Sequence, residues 1–155
     1  MSALTFNETL ELEHVFKAPI ERVFAAWTNA EMLALWFGPE HFSVVNVEAN
    51  CQKNGRYDIT IESPDKNLIR HYGEYLEVDE PTTLIFTWEI ENQSCQGSIG
   101  HKATTIVELN FISQGQTTLL QLKHEKLPDD VALNGHRFGW MSSFDSLSTL
   151  LDQQY

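Results

Sequence analysis

Cysteine is nearly absent: Cys51 and Cys95 are the two in 155 residues, lying in different segments and without metal-ligand spacing. A disulfide framework and a cysteine-based metal site are therefore not expected. Basic residues are also scarce, 10 Lys and Arg against 22 Asp and Glu, for a formal net charge of -12. An acidic surface repels phosphate backbones and anionic lipid, which argues against nucleic-acid and membrane partners. No apolar run approaches membrane-spanning length, and the opening MSALTFNETLELEH shows no positive leader followed by an apolar core. The expectation is a cytoplasmic protein with reduced thiols. Internal repeats, linkers and low-complexity stretches are missing too, so residues 1–155 read as one domain, able to bury roughly 70% of its unfolded surface.

What is present is a long one-sided helix after a series of strands. Leu133, His136, Trp140, Phe144, Leu147 and Leu151 recur at three- and four-residue spacing and form one bulky stripe. Before it, Leu10, Leu12 and Phe16 alternate with charged residues in an opening strand. Pro19 then starts a short helix carrying Ile20, Val23, Phe24 and Trp27. Asn29 caps a second one carrying Met32, Leu33 and Trp36, which Gly38-Pro39 ends. About six strands follow, through Val44–Val47, Tyr57–Ile61, Tyr72–Val78, Leu84–Trp88, Thr105–Phe111 and Leu120–His124, with Glu91 to His101 as a polar loop. One amphipathic helix plus many strands is economically solved by laying the helix across a curved antiparallel sheet, an α+β fold with room for a cavity between the layers.

The residues carry a resemblance as well. Phe16-Lys17-Ala18-Pro19, Val23-Phe24-Ala25-Ala26-Trp27-Thr28 and Leu35-Trp36-Phe37-Gly38-Pro39 resemble the opening of the activator of heat-shock-protein-90 ATPase homolog-like branch of the START-like, or SRPBCC, superfamily. Gly73 to Val78, Leu84 to Trp88, His124-Glu125 and Gly139-Trp140 continue the likeness in order along the chain, with His14 where that family commonly has arginine. The resemblance implies the helix-grip fold, a curved antiparallel sheet wrapped around a long C-terminal helix with two short helices after the first strand. It also implies a ligand cavity bounded by the sheet's inner face and the long helix.

Trp36, Tyr57, Tyr72, Trp88, Trp140 and Phe144 are either core or cavity lining; several have polar tips, as small-molecule sites usually do. Among six histidines no pair shows the spacing of a helical or strand metal site, so no metal and no cofactor is expected. By alternation and helix phase His124 and His136 face inward. They are satisfied buried histidines, polar anchors for a ligand, or an acid-base pair. No Gly-x-Ser-x-Gly accompanies them. Glu74 is a lone candidate inward carboxylate, and Arg56, Arg70 and Arg137 are candidate contacts for an anionic headgroup.

The reading is a non-catalytic protein, monomer or homodimer, that binds a small hydrophobic or amphipathic molecule through Trp36, Tyr57, Tyr72, Trp88, His124, His136, Trp140 and Phe144. The alternatives are a co-chaperone-like regulator docking on a chaperone ATPase, and a cyclase- or aromatase-type enzyme using His124 or His136.

Overall fold

The computed structural model describes residues 8–92 and 104–152. The order of elements follows the sequence pattern: β1 (Glu8–Phe16), α1 (Ile20–Thr28), α2 (Ala30–Trp36), β2 (Ser43–Ala49), β3 (Arg56–Glu62), β4 (Leu68–Asp79), β5 (Thr83–Asn92), β6 (Thr105–Ser113), β7 (Thr118–Leu127) and α3 (Asp130–Asp152). The strands form one seven-stranded sheet in the order β1-β7-β6-β5-β4-β3-β2, antiparallel throughout. The α1–α2 pair carries the chain from one edge of the sheet to the other. The sheet curves, and α3 lies across its inner face. Most of the stretch expected as a polar loop lies outside the described residues; its first two, Glu91 and Asn92, continue β5.

Local chemistry explains the helix boundaries. Pro19 is extended and its carbonyl accepts from the Arg22 and Val23 amides, starting α1. Asn29 ends α1 and starts α2, its side chain accepting from the Glu31 and Met32 amides at 2.8 and 3.2 Å. Helices of nine and seven residues are too short to persist alone. Their apolar sides are held by packing: Phe24 meets Phe111 edge-on, and Trp27 meets Trp36 of α2 and Trp140 of α3. Asp129 caps α3, its carboxylate accepting from the Ala132 amide. No described helix is long and apolar enough to cross a membrane.

The sheet's inner face is built from alternate residues, Tyr57, Ile59 and Ile61 on β3, His71 and Tyr75 on β4, Leu84, Phe86 and Trp88 on β5, then Val107, Leu109, Phe111, Leu120, Leu122 and His124. Bulges at Val44/Asn46 and Tyr75/Glu77 interrupt the ladders and favour local bending. Gly73 stands opposite Tyr57, whose hydroxyl donates to the Thr87 carbonyl at 2.6 Å. A Cβ at Gly73 would sit 2.1 Å from that carbonyl oxygen and 2.6 Å from Thr87 Oγ1. Only glycine fits there.

The α3 stripe is not buried evenly. Trp140, Ser143, Phe144, Leu147 and Leu151 are buried, whereas Leu133 and His136 are partly exposed and Val131 and Phe138 are 82% and 73% exposed. The C-terminal half packs down, with His14 bonded to Ser148 at 2.9 Å and Phe16 edge-on to Phe144. The N-terminal half stands off the sheet. Gly73→Ala should lower unfolding free energy by about 3 kcal/mol through backbone collision, measured as a reduced urea midpoint at unchanged m-value.

Candidate functional site

Where α3 stands off, a cavity of about 600 Å³ opens between it and the sheet. Its sheet side is Ile61, Ile69, His71, Trp88 and Ile90; the segment after α2 adds Phe37, Gly38, Pro39 and Phe42. Its lid is α3, through Val131, Ala132, Gly135, His136, Gly139, Trp140 and Ser143, with Pro128 and Asp129 just before it. The walls are overwhelmingly apolar. Gly135 and Gly139 both turn to this space, and a Cβ built on either meets nothing within 4 Å. Each costs the helix about 1 kcal/mol relative to alanine.

The separation of helix and sheet is fixed by two reciprocal hydrogen bonds. Trp88 of β5 donates its indole N–H to His136 Nε2 on α3 at 3.1 Å. Trp140 of α3 donates in the opposite sense to His124 Nδ1 on β7, also at 3.1 Å. An indole only donates and a carbonyl only accepts, so the remaining contacts dictate the tautomers. His136 Nδ1 lies 2.8 Å from the Ala132 carbonyl and must carry the proton. His124 Nε2 lies 2.8 Å from Thr105 Oγ1, whose own proton goes to the Trp88 carbonyl, so here Nε2 is the protonated nitrogen. Both rings are neutral acceptors for a tryptophan, and each ring uses both nitrogens.

Three residues expected at the site therefore border the cavity: Trp88, His136 and Trp140. The other five lie elsewhere. His124 is fully buried beneath the floor, screened by Trp140. Trp36 packs on Trp27 and donates to the Ala26 carbonyl, closing the α1–α2 corner. Phe144 sits in the packed half of α3 against Phe16 and His14. Tyr57 faces a separate void of about 20 Å³, shared with Phe37, Trp88 and the buried Trp27, whose Nε1 has no hydrogen-bond partner. Tyr72 is on the outer face, under the Arg70 guanidinium at 4.1 Å.

The Tyr72 placement has a simple cause. On β4 the inward residues are His71, Gly73 and Tyr75, so Tyr72 and Glu74 point outward. Reading Tyr72 as inward shifts the strand by one residue and hides His71. That histidine is the residue the pattern missed. It is 7% exposed, lines the cavity, and packs against Phe37 and Trp88. Its Nδ1 is sealed off without a hydrogen-bond partner. Burial drives its pKa down to about 4; the Ile59 carbonyl offsets part of this and the nearby His136 adds to it.

Charged groups stay outside. Arg70 binds Asp58 through two nitrogens, at 2.8 to 3.1 Å, and reaches Glu91. Neither Arg56 nor Arg137 lines the cavity. Among the described residues no three His, Cys, Asp or Glu side chains converge as a metal site. Burial pushes the Cys51 thiol up to about 11, which keeps it protonated and unreactive at neutral pH.

His71 makes stability depend on acidity. The unfolded chain takes up a proton near pH 6.5, while folded His71 refuses it down to about pH 4. The unfolded state binds more protons across that window, so stability is complete above pH 6.5 and falls as the pH drops, by about 3 kcal/mol in all. His14, also lowered by burial, adds in the same direction. Urea titrations between pH 7 and 4 should show this slope, and His71→Phe should remove most of it.

With this geometry in view, solved structures give the fold its company. The AHSA1 protein of Silicibacter pomeroyi is 24% identical, with 96% of this chain and 100% of that one covered and a TM-score of 0.83. A protein of Staphylococcus epidermidis is 26% identical over 100% and 96% of the two chains, with a TM-score of 0.75. A protein of Chromobacterium violaceum is 23% identical over 92% and 96%, with a TM-score of 0.79. No curated protein matches the chain. The family model described as activator of Hsp90 ATPase homolog 1-like protein matches residues 17–152, and the chain belongs to that family.

Proposed function

We propose that the protein is a non-catalytic binder of a small, mainly apolar molecule held between the sheet and the first half of α3. The observation that carries this reading is the glycine pair on the cavity wall. Gly135 and Gly139 weaken a helix for no packing reason, since alanine would fit at both positions. What their absent side chains provide is volume. A cavity of about 600 Å³ is in the range of drug-sized ligand sites.

The cyclase-type alternative would need His124 or His136 to move protons. Each ring has both nitrogens committed to structural partners, and His124 does not border the cavity. The regulator alternative draws on the family's description and on the exposed side chains of Val131, Phe138 and Met141 along the outer side of α3. It makes a separate demand: the protein would alter the ATP turnover of a purified chaperone, whatever the state of the cavity.

All four tryptophans are buried, and Trp88 and Trp140 border the cavity, so intrinsic emission is a direct readout. Nile red, neutral and apolar, should bind and quench that emission. Gly139→Leu should weaken binding at least about tenfold, a loss of about 1.4 kcal/mol, while the melting temperature holds or rises. Equal binding by Gly139→Leu would sink the reading.

A further inference from the structure

The wall chemistry narrows the class of molecule, an inference that rests on the cavity being a binding site. Among the described residues lining it, none is lysine or arginine. The one formal charge there is Asp129, whose carboxylate caps α3. A bound carboxylate or phosphate would find no counter-charge, and desolvating an unpaired anion in an apolar site is prohibitive. A bound cation fares little better, since Asp129 stands at the start of α3 rather than on the sheet wall. The occupant is uncharged.

It is not a bare hydrocarbon either. Most polar groups near the cavity are spent: the indoles of Trp88 and Trp140 and both rings they bond to are saturated by one another. Two are not. His71, on the sheet side, has a nitrogen without a partner and is neutral at pH 7. Ser143, on the α3 side, is 5% exposed, lines the cavity, and its hydroxyl forms no hydrogen bond among the described residues. A neighbour one position away behaves differently: Ser142 accepts from the Glu40 amide at 2.8 Å, outside the cavity. Buried polar groups in native proteins are nearly always satisfied, and a cavity wall with one on each side points to a ligand that satisfies them.

We infer that the cavity selects an electrically neutral molecule with an apolar ring body and a hydroxyl or carbonyl oxygen, the oxygen hydrogen-bonding to His71 and Ser143 from opposite walls. Imidazole and hydroxyl each donate or accept, so alcohols, phenols and ketones all qualify. Fatty-acid carboxylates and phosphorylated lipids are excluded. The acidic surface, at a formal net charge of -12, acts in the same direction by repelling anions before they reach the mouth.

A matched series tests this on the full chain: 1-methylpyrene, 1-pyrenemethanol and 1-pyrenecarboxylate, titrated by fluorescence at pH 7.5. The alcohol should bind at least as tightly as the hydrocarbon, despite being better solvated by water. The carboxylate should bind at least tenfold more weakly than the alcohol. In His71→Phe/Ser143→Ala, which keeps the ring packing against Phe37 and Trp88, the alcohol should weaken about tenfold while the hydrocarbon stays within threefold. Melting temperature of the variant establishes that it is folded; if it is not, each single variant should give part of the same selective loss. Carboxylate binding on a par with the alcohol, or an alcohol affinity untouched by both substitutions, would overturn the inference and leave the cavity reading standing. Failure of all three compounds to bind the unaltered protein would remove both.

Discussion

Two indole-to-imidazole hydrogen bonds running in opposite directions are the constraint on which the rest of the molecule depends. Trp88 reaches from sheet to helix and Trp140 from helix to sheet, so neither layer can slide without breaking a bond in which both partners are shielded from water. A buried donor left without its acceptor costs on the order of 1–3 kcal/mol. Because the rings are large, the bonds act as spacers as much as ties. They hold the first half of α3 at a fixed height, while Phe144, Leu147 and Leu151 pin the second half directly onto the sheet. The cavity is the wedge between those two regimes.

The same arrangement explains why histidine so close to an apolar cavity is not catalytic here. Proton transfer needs a nitrogen with a free lone pair facing the reacting atom. At His124 and His136 the lone pair is already the acceptor for a tryptophan, and the proton is already committed to Thr105 or the Ala132 carbonyl. Taking up a second proton would set N–H against N–H. Polarity near the cavity is thus used mostly for construction, and what remains for recognition is small: one imidazole on β4 and one hydroxyl on α3.

Much of this was legible in the chain. The element order, the Asn29 cap, the paired short helices and the long terminal helix all follow from turn chemistry and apolar period, which act over a few residues. Depth was not legible. Alternation assigns Tyr57 and Trp88 to one face but does not say that Tyr57 is sealed in a void of its own. Helix phase treats His136 and Phe144 alike, although one borders empty space and the other is packed solid. On β4 the bulge and two adjacent aromatic-like positions, His71 and Tyr72, left the register ambiguous by one residue, and size decided wrongly. The glycines of α3 escaped notice because periodicity counts side chains that are present. A cavity is made by those that are missing.

The tryptophans also form a continuous series. Trp36 lies 4.7 Å from Trp27 by ring centroid, Trp27 lies 5.9 Å from Trp140, and Trp140 lies 4.9 Å from Trp88. At such separations the excited states of neighbouring indoles couple strongly, and absorbed light migrates among them before it is emitted. The protein should therefore show a pronounced exciton signature in circular dichroism, arising from the set rather than from any one member. An event at the two indoles beside the cavity would be registered by the whole array, as far away as the corner between the two short helices.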